Sequence, residues 1–329
     1  MFIRLFYFAV SIFVASVMTG CYEEIDLDKY RQEEGADLLT LNTILAGDST
    51  IKVVATKTYF FSDRHSEYSF VPNLAMRMSV NDGEETVMDF DPVSNTYVSD
   101  RKAREGDLIR FSTRYNGHEV KAEDTVPHKV TIDSMKVTRQ GPVNYYWNND
   151  YIFTYYITFS EPPRQRNFYF LDFDGWGDGT YGGMEEKVFR YEFVFQQLAS
   201  GISSSRPGWV PYSPKGLPFS DDGIDGTSHT LVLREIVQGN IMDYFQYWTV
   251  MHRKFWLYSI SESYYRYLVS ILCNDTYDDS FSGGMVNIGL VEPNAIFSNI
   301  IGGVGICGAY ALDVKEMEVL ETVGPFPRR

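Results

Sequence analysis

Between Leu38 and Pro127 apolar and polar residues alternate with a period of two, the spacing that sends successive side chains to opposite faces of a strand. Leu74, Met76, Met78 and Val80 alternate with Ala75, Arg77 and Ser79. Asn81-Asp82-Gly83 then supplies turn residues that tolerate positive φ. A second alternation runs through Ile109, Phe111, Thr113 and Tyr115, reverses at Asn116-Gly117 and returns through Val120 and Ala122. Several short strands joined by such turns predict an N-terminal Ig-like or transthyretin-like β-sandwich over residues 38–127, with Pro127 ending its last strand.

Beyond Pro127 the runs Val130 to Val137, Tyr151 to Phe159, Phe168 to Phe173, Val188 to Phe195 and Leu231 to Ile236 are rich in aromatic and β-branched residues. They predict a larger antiparallel β domain over residues 128–322, with one or two helices. Gly175 to Gly183 and Ser200 to Asp225, crowded with Gly, Pro, Ser and Asp, read as long surface loops. One helix is explicit. Ser261 can cap it, Glu262 suits its positive end, Tyr264, Tyr265, Leu268 and Leu272 recur at helical spacing, and Asn274-Asp275 would close it. Ile241 to Trp256 is too dense in aromatic residues to show a period. The fold class expected is mainly β.

The first residues carry an address. Arg4 gives a positive start, and Leu5 to Val17 is an apolar stretch interrupted only by Ser11 and Ser16. It falls short of the roughly 20 apolar residues that a spanning helix needs. The stretch leads into Val17-Met18-Thr19-Gly20-Cys21, which resembles a lipobox: small residues before a cysteine let the processing peptidase reach the backbone, and the thiol takes a diacylglycerol. Met18 stands where leucine is more usual. The competing reading is an ordinary signal peptide with a chance cysteine. On the lipobox reading residues 1–20 are a lipoprotein signal peptide, Cys21 is lipidated, and residues 21–37 are an acidic tether. The run Glu23, Glu24, Asp26 and Asp28 reads either as a solvated spacer or as the acidic export signal by which Bacteroidota move lipoproteins to the outer face of the outer membrane.

Charge narrows the partners. The chain of 329 residues carries a formal charge of −15, and removal of residues 1–20 deletes Arg4 and no acid, leaving −16. A body so acidic repels phosphate backbones and anionic lipid surfaces, which argues against nucleic acid as a partner. With Cys21 lipidated, Cys273 and Cys307 remain, either as a disulfide permitted by export or as two buried thiols.

Catalytic and metal-binding patterns are sparse. His65, His118, His128, His229 and His252 are scattered, without a His-Glu-x-x-His or Cys-x-x-Cys spacing and without a Gly-x-Ser-x-Gly elbow. Asp172, Asp174 and Asp178 alternate in a Gly-rich stretch and are the candidates for calcium, but the EF-hand pattern fails at Trp176 and at Gly183. No cofactor is implied. The candidate ligand-binding residues are aromatic side chains in segments read as loops: Trp147, Trp176, Tyr181, Trp209 and Tyr212. Exposed aromatics can stack on sugar rings or anchor a protein partner; otherwise they cap sheet edges and pack inward.

Glu292-Pro293, Ile296-Phe297-Ser298-Asn299-Ile300, Gly302-Gly303-Val304-Gly305-Ile306 and Gly308-Ala309-Tyr310 form a distinctive C-terminal segment. Taken with Phe219-Ser220-Asp221, Ile224-Asp225-Gly226 and the Tyr264-Tyr265-Arg266-Tyr267-Leu268 helix, the chain from about Leu38 to Tyr310 resembles a family of Bacteroidota envelope lipoproteins, domain of unknown function 4249. Cys307 stands where that family usually has a large apolar residue. The resemblance implies a lipoprotein often encoded beside TonB-dependent receptors. The expected function is a surface-exposed, lipid-anchored outer-membrane protein, not an enzyme, that serves as a binding or accessory subunit of a TonB-dependent nutrient uptake system. The alternatives are an envelope glycan or peptide hydrolase and a structural, adhesin-like module. The glycines themselves read as structural, letting strands approach closely or bend.

Overall fold

The computed structural model describes residues 37–59, 69–143, 150–177, 184–190, 209–211, 216–237, 251–275 and 295–319. Contacts divide the chain into two units. Met1–Asp37 with Thr58–Glu67 is the first, of which only residues 37, 58 and 59 are described. Leu38–Lys57 with Tyr68–Arg329 is the second and holds every element below.

The fold is mainly β. Its strands are β1 (Leu39–Ala46), β2 (Thr50–Lys57), β3 (Arg77–Val80), β4 (Thr86–Val87), β5 (Asp89–Asp91), β6 (Thr96–Lys102), β7 (Leu108–Tyr115), β8 (His118–Thr125), β9 (Ile132–Val143), β10 (Asp150–Ser160), β11 (Phe168–Gly177), β12 (Met184–Arg190), β13 (Trp209–Pro211), β14 (Leu217–Ser220), β15 (Ser228–Val237), β16 (Met251–Ile260) and β17 (Val304–Glu318). Helix α1 (Glu262–Asp275) is the one α-helix among the described residues. The central sheet has eight strands in the order β14-β11-β16-β17-β1-β2-β6-β5; a five-stranded sheet runs β13-β12-β15-β10-β9 and a four-stranded sheet β4-β3-β7-β8.

Among the described residues, two of the apolar clusters follow from the strand periodicity. Leu39 and Leu41 of β1, Ile51 and Val53 of β2, Met78 of β3, Ile109 and Phe111 of β7, Val120 and Ala122 of β8 and Cys307 of β17 form one cluster between the central and four-stranded sheets. Phe153, Tyr155 and Ile157 of β10, Leu231 and Leu233 of β15, Tyr169 and Phe173 of β11, and Phe255 and Leu257 of β16 form the other, between the central and five-stranded sheets. The fifteen-residue strand β17 joins both: it pairs parallel with β1 from Val304 to Tyr310 and antiparallel with β16 from Tyr310 to Glu318. The expected boundary at Pro127 is therefore crossed by one continuous sheet.

The β7–β8 hairpin forms as its alternation predicts. Asn116 (φ 50) and Gly117 (φ 82) supply the two positive-φ residues of a tight turn, and the register runs from Tyr115↔His118 to Leu108↔Thr125. Helix α1 also forms as predicted. The Ser261 hydroxyl accepts a hydrogen bond from Tyr264 N at 3.2 Å, Tyr265 stacks on Phe168 with ring centroids 4.7 Å apart, and Leu272 reaches the second core.

The loop readings need correction in part. Gly175, Trp176 and Gly177 complete β11, paired to Arg253, His252 and Met251, because ladder pairing to β16 outweighs the weak strand preference of glycine. Trp209 opens β13 opposite Arg190, and Leu217–Ser220 is strand β14. The ambiguous stretch resolves as strand from Met251 onward.

Candidate functional site

The four-stranded sheet turns Met78, Ile109, Phe111, Val120 and Ala122 toward the core, so the alternate residues form its outer face. Strand register sets their neighbours. Arg77 of β3 lies opposite Ser112 of β7, which lies opposite Lys121 of β8. One row along, Ser79 meets Arg110 and Arg110 meets Glu123; on the other side Arg114 meets Glu119. Small side chains in the middle of long ones leave two adjoining depressions of about 470 and about 250 Å³, both lined by Arg77, Glu85 and Ser112. Together they make a polar trough. Its far wall is Asn299 and Ile301, and Ile301 is 70% exposed.

The trough holds four basic side chains in a chain whose acids outnumber its bases 44 to 29. Arg110 Nε donates to Glu123 Oε2 at 3.0 Å and its Nη1 to Asn81 O at 2.8 Å, so this guanidinium is fixed. Lys121 pairs with Glu119 at 2.9 Å, and Arg77 reaches Glu85 at only 3.4 Å. Among the described residues, Arg114 has no ion-pair partner and the Ser112 hydroxyl no hydrogen-bond partner. Exposed ion pairs of this kind contribute little to stability, at most about 1 kcal/mol each.

The wall of the trough is built by the Ser298-Asn299-Ile300 segment. β16 stops pairing with β17 at Tyr310, which would leave the N-terminal part of β17 without a neighbour on that side. Side chains and a short bridge continue the ladder instead. Ser261 N donates to Ala309 O at 2.9 Å, and Ala309 N donates to Ser261 Oγ at 3.1 Å. Two residues back, Cys307 N donates to Asn299 Oδ1 at 2.9 Å while Asn299 Nδ2 donates to Cys307 O at 2.8 Å. Ile301 and Lys121 then exchange two backbone bonds of 2.9 Å, tying the segment to β8. Gly302 and Gly305 permit this crossing: a Cβ would sit 2.2 Å from Glu119 O at the first and 2.1 Å from Leu41 O at the second, where φ is +116. Cys307 is a buried free thiol, its pKa pushed up by burial. Asp124, at an inward-facing position near the end of β8, accepts from Ser261 Oγ at 2.5 Å and from Thr125 N at 2.8 Å. Burial raises its pKa from 3.8 to about 7 against the pull of those two donors.

Two further polar clusters lie inside the protein. Glu235, fully buried, accepts both arms of the Arg253 fork at 2.9 and 3.0 Å and the Tyr155 hydroxyl at 2.5 Å. Burial and the Glu235 carboxylate push the Tyr155 pKa up, while Glu235 holds Arg253 protonated despite its own burial. Glu161 accepts from Asn167 Nδ2 and Gly226 N, each at 2.6 Å, and from Tyr169 OH at 3.2 Å; Asp221 Oδ2 accepts from Asn167 N at 2.6 Å. The Phe219-Ser220-Asp221 and Ile224-Asp225-Gly226 motifs thus lock the β14–β15 turn onto the start of β11.

Of the residues singled out by sequence, Asp172, Asp174, Trp176 and Trp209 lie among those described. Asp172 and Asp174 lie two apart on β11, opposite Trp256 and Lys254, on an extended strand and not in a loop that could wrap a cation. No metal-holding group of three acids, histidines or cysteines occurs among the described residues. The backbones of Trp176 and Trp209 are in strands, whereas Cys21, Trp147, Asp178, Tyr181 and Tyr212 lie outside the described residues. Sequence reasoning passed over Arg77, Arg110, Ser112, Arg114 and Lys121, although the hairpin register at Asn116-Gly117 already places the last four side by side.

No helix among the described residues is long and apolar enough to cross a membrane. A search of curated proteins and of solved structures finds no match. One family model does match, over residues 23–316, and spans both cores, the Asn299 segment and the buried carboxylate motifs. The chain belongs to the family described as Domain of unknown function (DUF4249).

Proposed function

We propose that this protein is a lipid-anchored outer-membrane lipoprotein, held by Cys21 and facing the cell exterior, that acts as a non-catalytic binding or accessory subunit of a TonB-dependent uptake system. The observation carrying the reading is the order of features at the start of the chain: Arg4, an apolar stretch, Val17 to Cys21, then an acidic run. The buried carboxylates support it. Glu161, Glu235 and Asp124 each accept at least two hydrogen bonds from protein groups, which is the chemistry of fold maintenance. Among the described residues, the open, ion-paired trough offers a surface for contact with a ligand or receptor. A lipid anchor confines such a surface to two dimensions, so a weak interface with a membrane receptor suffices.

The test combines two variants. Cys21→Ala should leave the protein unlabelled by fatty acid and released from membranes. A photocrosslinking residue at Ile301 should capture an outer-membrane β-barrel receptor in intact cells. Hydrolysis of a glycan or peptide panel by the purified protein would contradict the reading.

A further inference from the structure

Resting on the reading of the trough as the binding surface, we infer that it is an oxyanion site for an acidic saccharide, with Ser112 at its centre. Strand register places Arg77 and Lys121 on either side of Ser112 across the sheet. Arg110 and Arg114 stand two residues before and after it on the same face of β7. Four cations, with the carboxylates of Glu85, Glu119 and Glu123 among them, thus surround one small hydroxyl. The depression exists because serine is short where its neighbours are long.

The four cations differ in availability. Arg110 is held by Glu123 and by Asn81 O, with Asp82 3.6 Å away, so its geometry is fixed and its charge is offset by carboxylates. Arg77 has one long contact to Glu85, 3.4 Å, and both side chains are more than half exposed. Arg114 has no ion pair among the described residues, because Glu119, its cross-strand neighbour, is taken by Lys121. Arg77 and Arg114 are therefore the two guanidiniums able to turn onto a planar carboxylate or a sulfate, for which the guanidinium fork is suited. Ser112 offers a third donor between them.

The remaining lining selects what carries the oxyanion. Glu85 and Glu123 present carboxylate oxygens, and Ser79 a hydroxyl, to a ligand's own hydroxyl groups. Exposed Ile301 at one side and Val87, 65% exposed and paired opposite Arg77, at the other offer apolar rims to the C–H face of a ring. A polyanion is disfavoured by the net charge of −15, so the fitting ligand carries one acidic group and several hydroxyls. That description is a uronic acid or a singly sulfated sugar.

The experiment is calorimetric titration of the mature full-length protein in detergent with methyl glucuronide, galactose 6-sulfate, methyl glucoside and inorganic sulfate. The two acidic sugars should bind at least about tenfold more tightly than the neutral one, and Arg77→Gln or Arg114→Gln should each weaken them about tenfold, the value of one charge-assisted contact. Inorganic sulfate should compete with both acidic sugars. Ser112→Leu, which fills the depression, should abolish binding while leaving the thermal midpoint within a few degrees. Equal binding of neutral and acidic sugars, no binding of either acidic sugar, or unchanged affinity in the two arginine variants would overturn the assignment. Failure here leaves fatty-acid labelling at Cys21 and receptor capture at Ile301 as separate readouts of the anchored-subunit reading.

Discussion

Asn299→Ala removes a side chain that stands in for a strand. Its amide exchanges two hydrogen bonds with Cys307, at 2.9 and 2.8 Å, and sends a third to Glu123 O at 3.3 Å. Cys307 is fully buried, so the N–H and C=O released by the substitution have no route to water. Each unsatisfied backbone group costs about 1–3 kcal/mol, giving a loss of about 2–6 kcal/mol from a total stability of about 5–15 kcal/mol. At about 2–4 °C per kcal/mol, the value for chains of about 150–250 residues, the midpoint should fall by about 4–24 °C. Asn299→Asp is the sharper variant. It keeps an acceptor for Cys307 N but turns a second oxygen toward Cys307 O, so its loss should match or exceed that of alanine. The neighbour Ser298→Ala is the control, since Ser298 is exposed and its bond from Ile300 N is long at 3.3 Å; its loss should stay under about 1 kcal/mol. Denaturant unfolding supplies the free energies, and hydrogen exchange at the Cys307 amide localises them. A loss under about 0.5 kcal/mol in Asn299→Ala, with Cys307 still protected, would refute the ladder argument, because unsatisfied buried groups do not come so cheaply.

Further outcomes follow from the other clusters. Arg253→Met alone should cost about 3–5 kcal/mol by stranding Glu235, whereas Arg253→Met with Glu235→Leu should recover most of it, as urea unfolding of the single and double variants would reveal. Gly305→Ala should cost about 2 kcal/mol or more and lower the thermal midpoint, since its Cβ would meet Leu41 O at 2.1 Å and φ is +116. The folded state holds the Asp124 proton more tightly than the unfolded chain, with a pKa of about 7 against 3.8. The contribution of Asp124 to stability should therefore be fully present below about pH 4, be lost as pH rises to about 7 and level off above, and Asp124→Asn should remove that component from the pH dependence of unfolding.

Some of this was readable in advance. Asn116-Gly117 between two alternations dictates both the β7–β8 turn and its register, since a two-residue loop leaves no freedom in pairing. The alternation that identifies Ile109, Phe111 and Thr113 as inward also makes Arg110, Ser112 and Arg114 outward, so half the trough was implicit in the hairpin. β3 as its neighbour was not, because strand order depends on contacts between residues that here stand about thirty positions apart. Ser261 capping α1 was legible from local chemistry; its second role, holding Ala309 and Asp124, depends on β17 arriving from 48 residues later and on β8 from 137 residues earlier. The same holds for Asn299, whose value lies in the place where β16 stops. Gly-rich composition misdirected the reading of β11 past Phe173, because composition reports local preference and the β16 ladder is not local.

An anchored subunit that works beside a receptor should be recovered as such by affinity purification of the native protein from detergent-solubilised membranes, followed by intact-mass analysis of everything that elutes. On the anchored-subunit reading the eluate holds a chain that begins at Cys21, heavier than its sequence by a diacylglycerol and any further acyl chain, together with an outer-membrane β-barrel receptor in fixed ratio. A chain of unmodified mass that begins elsewhere and elutes alone would contradict it.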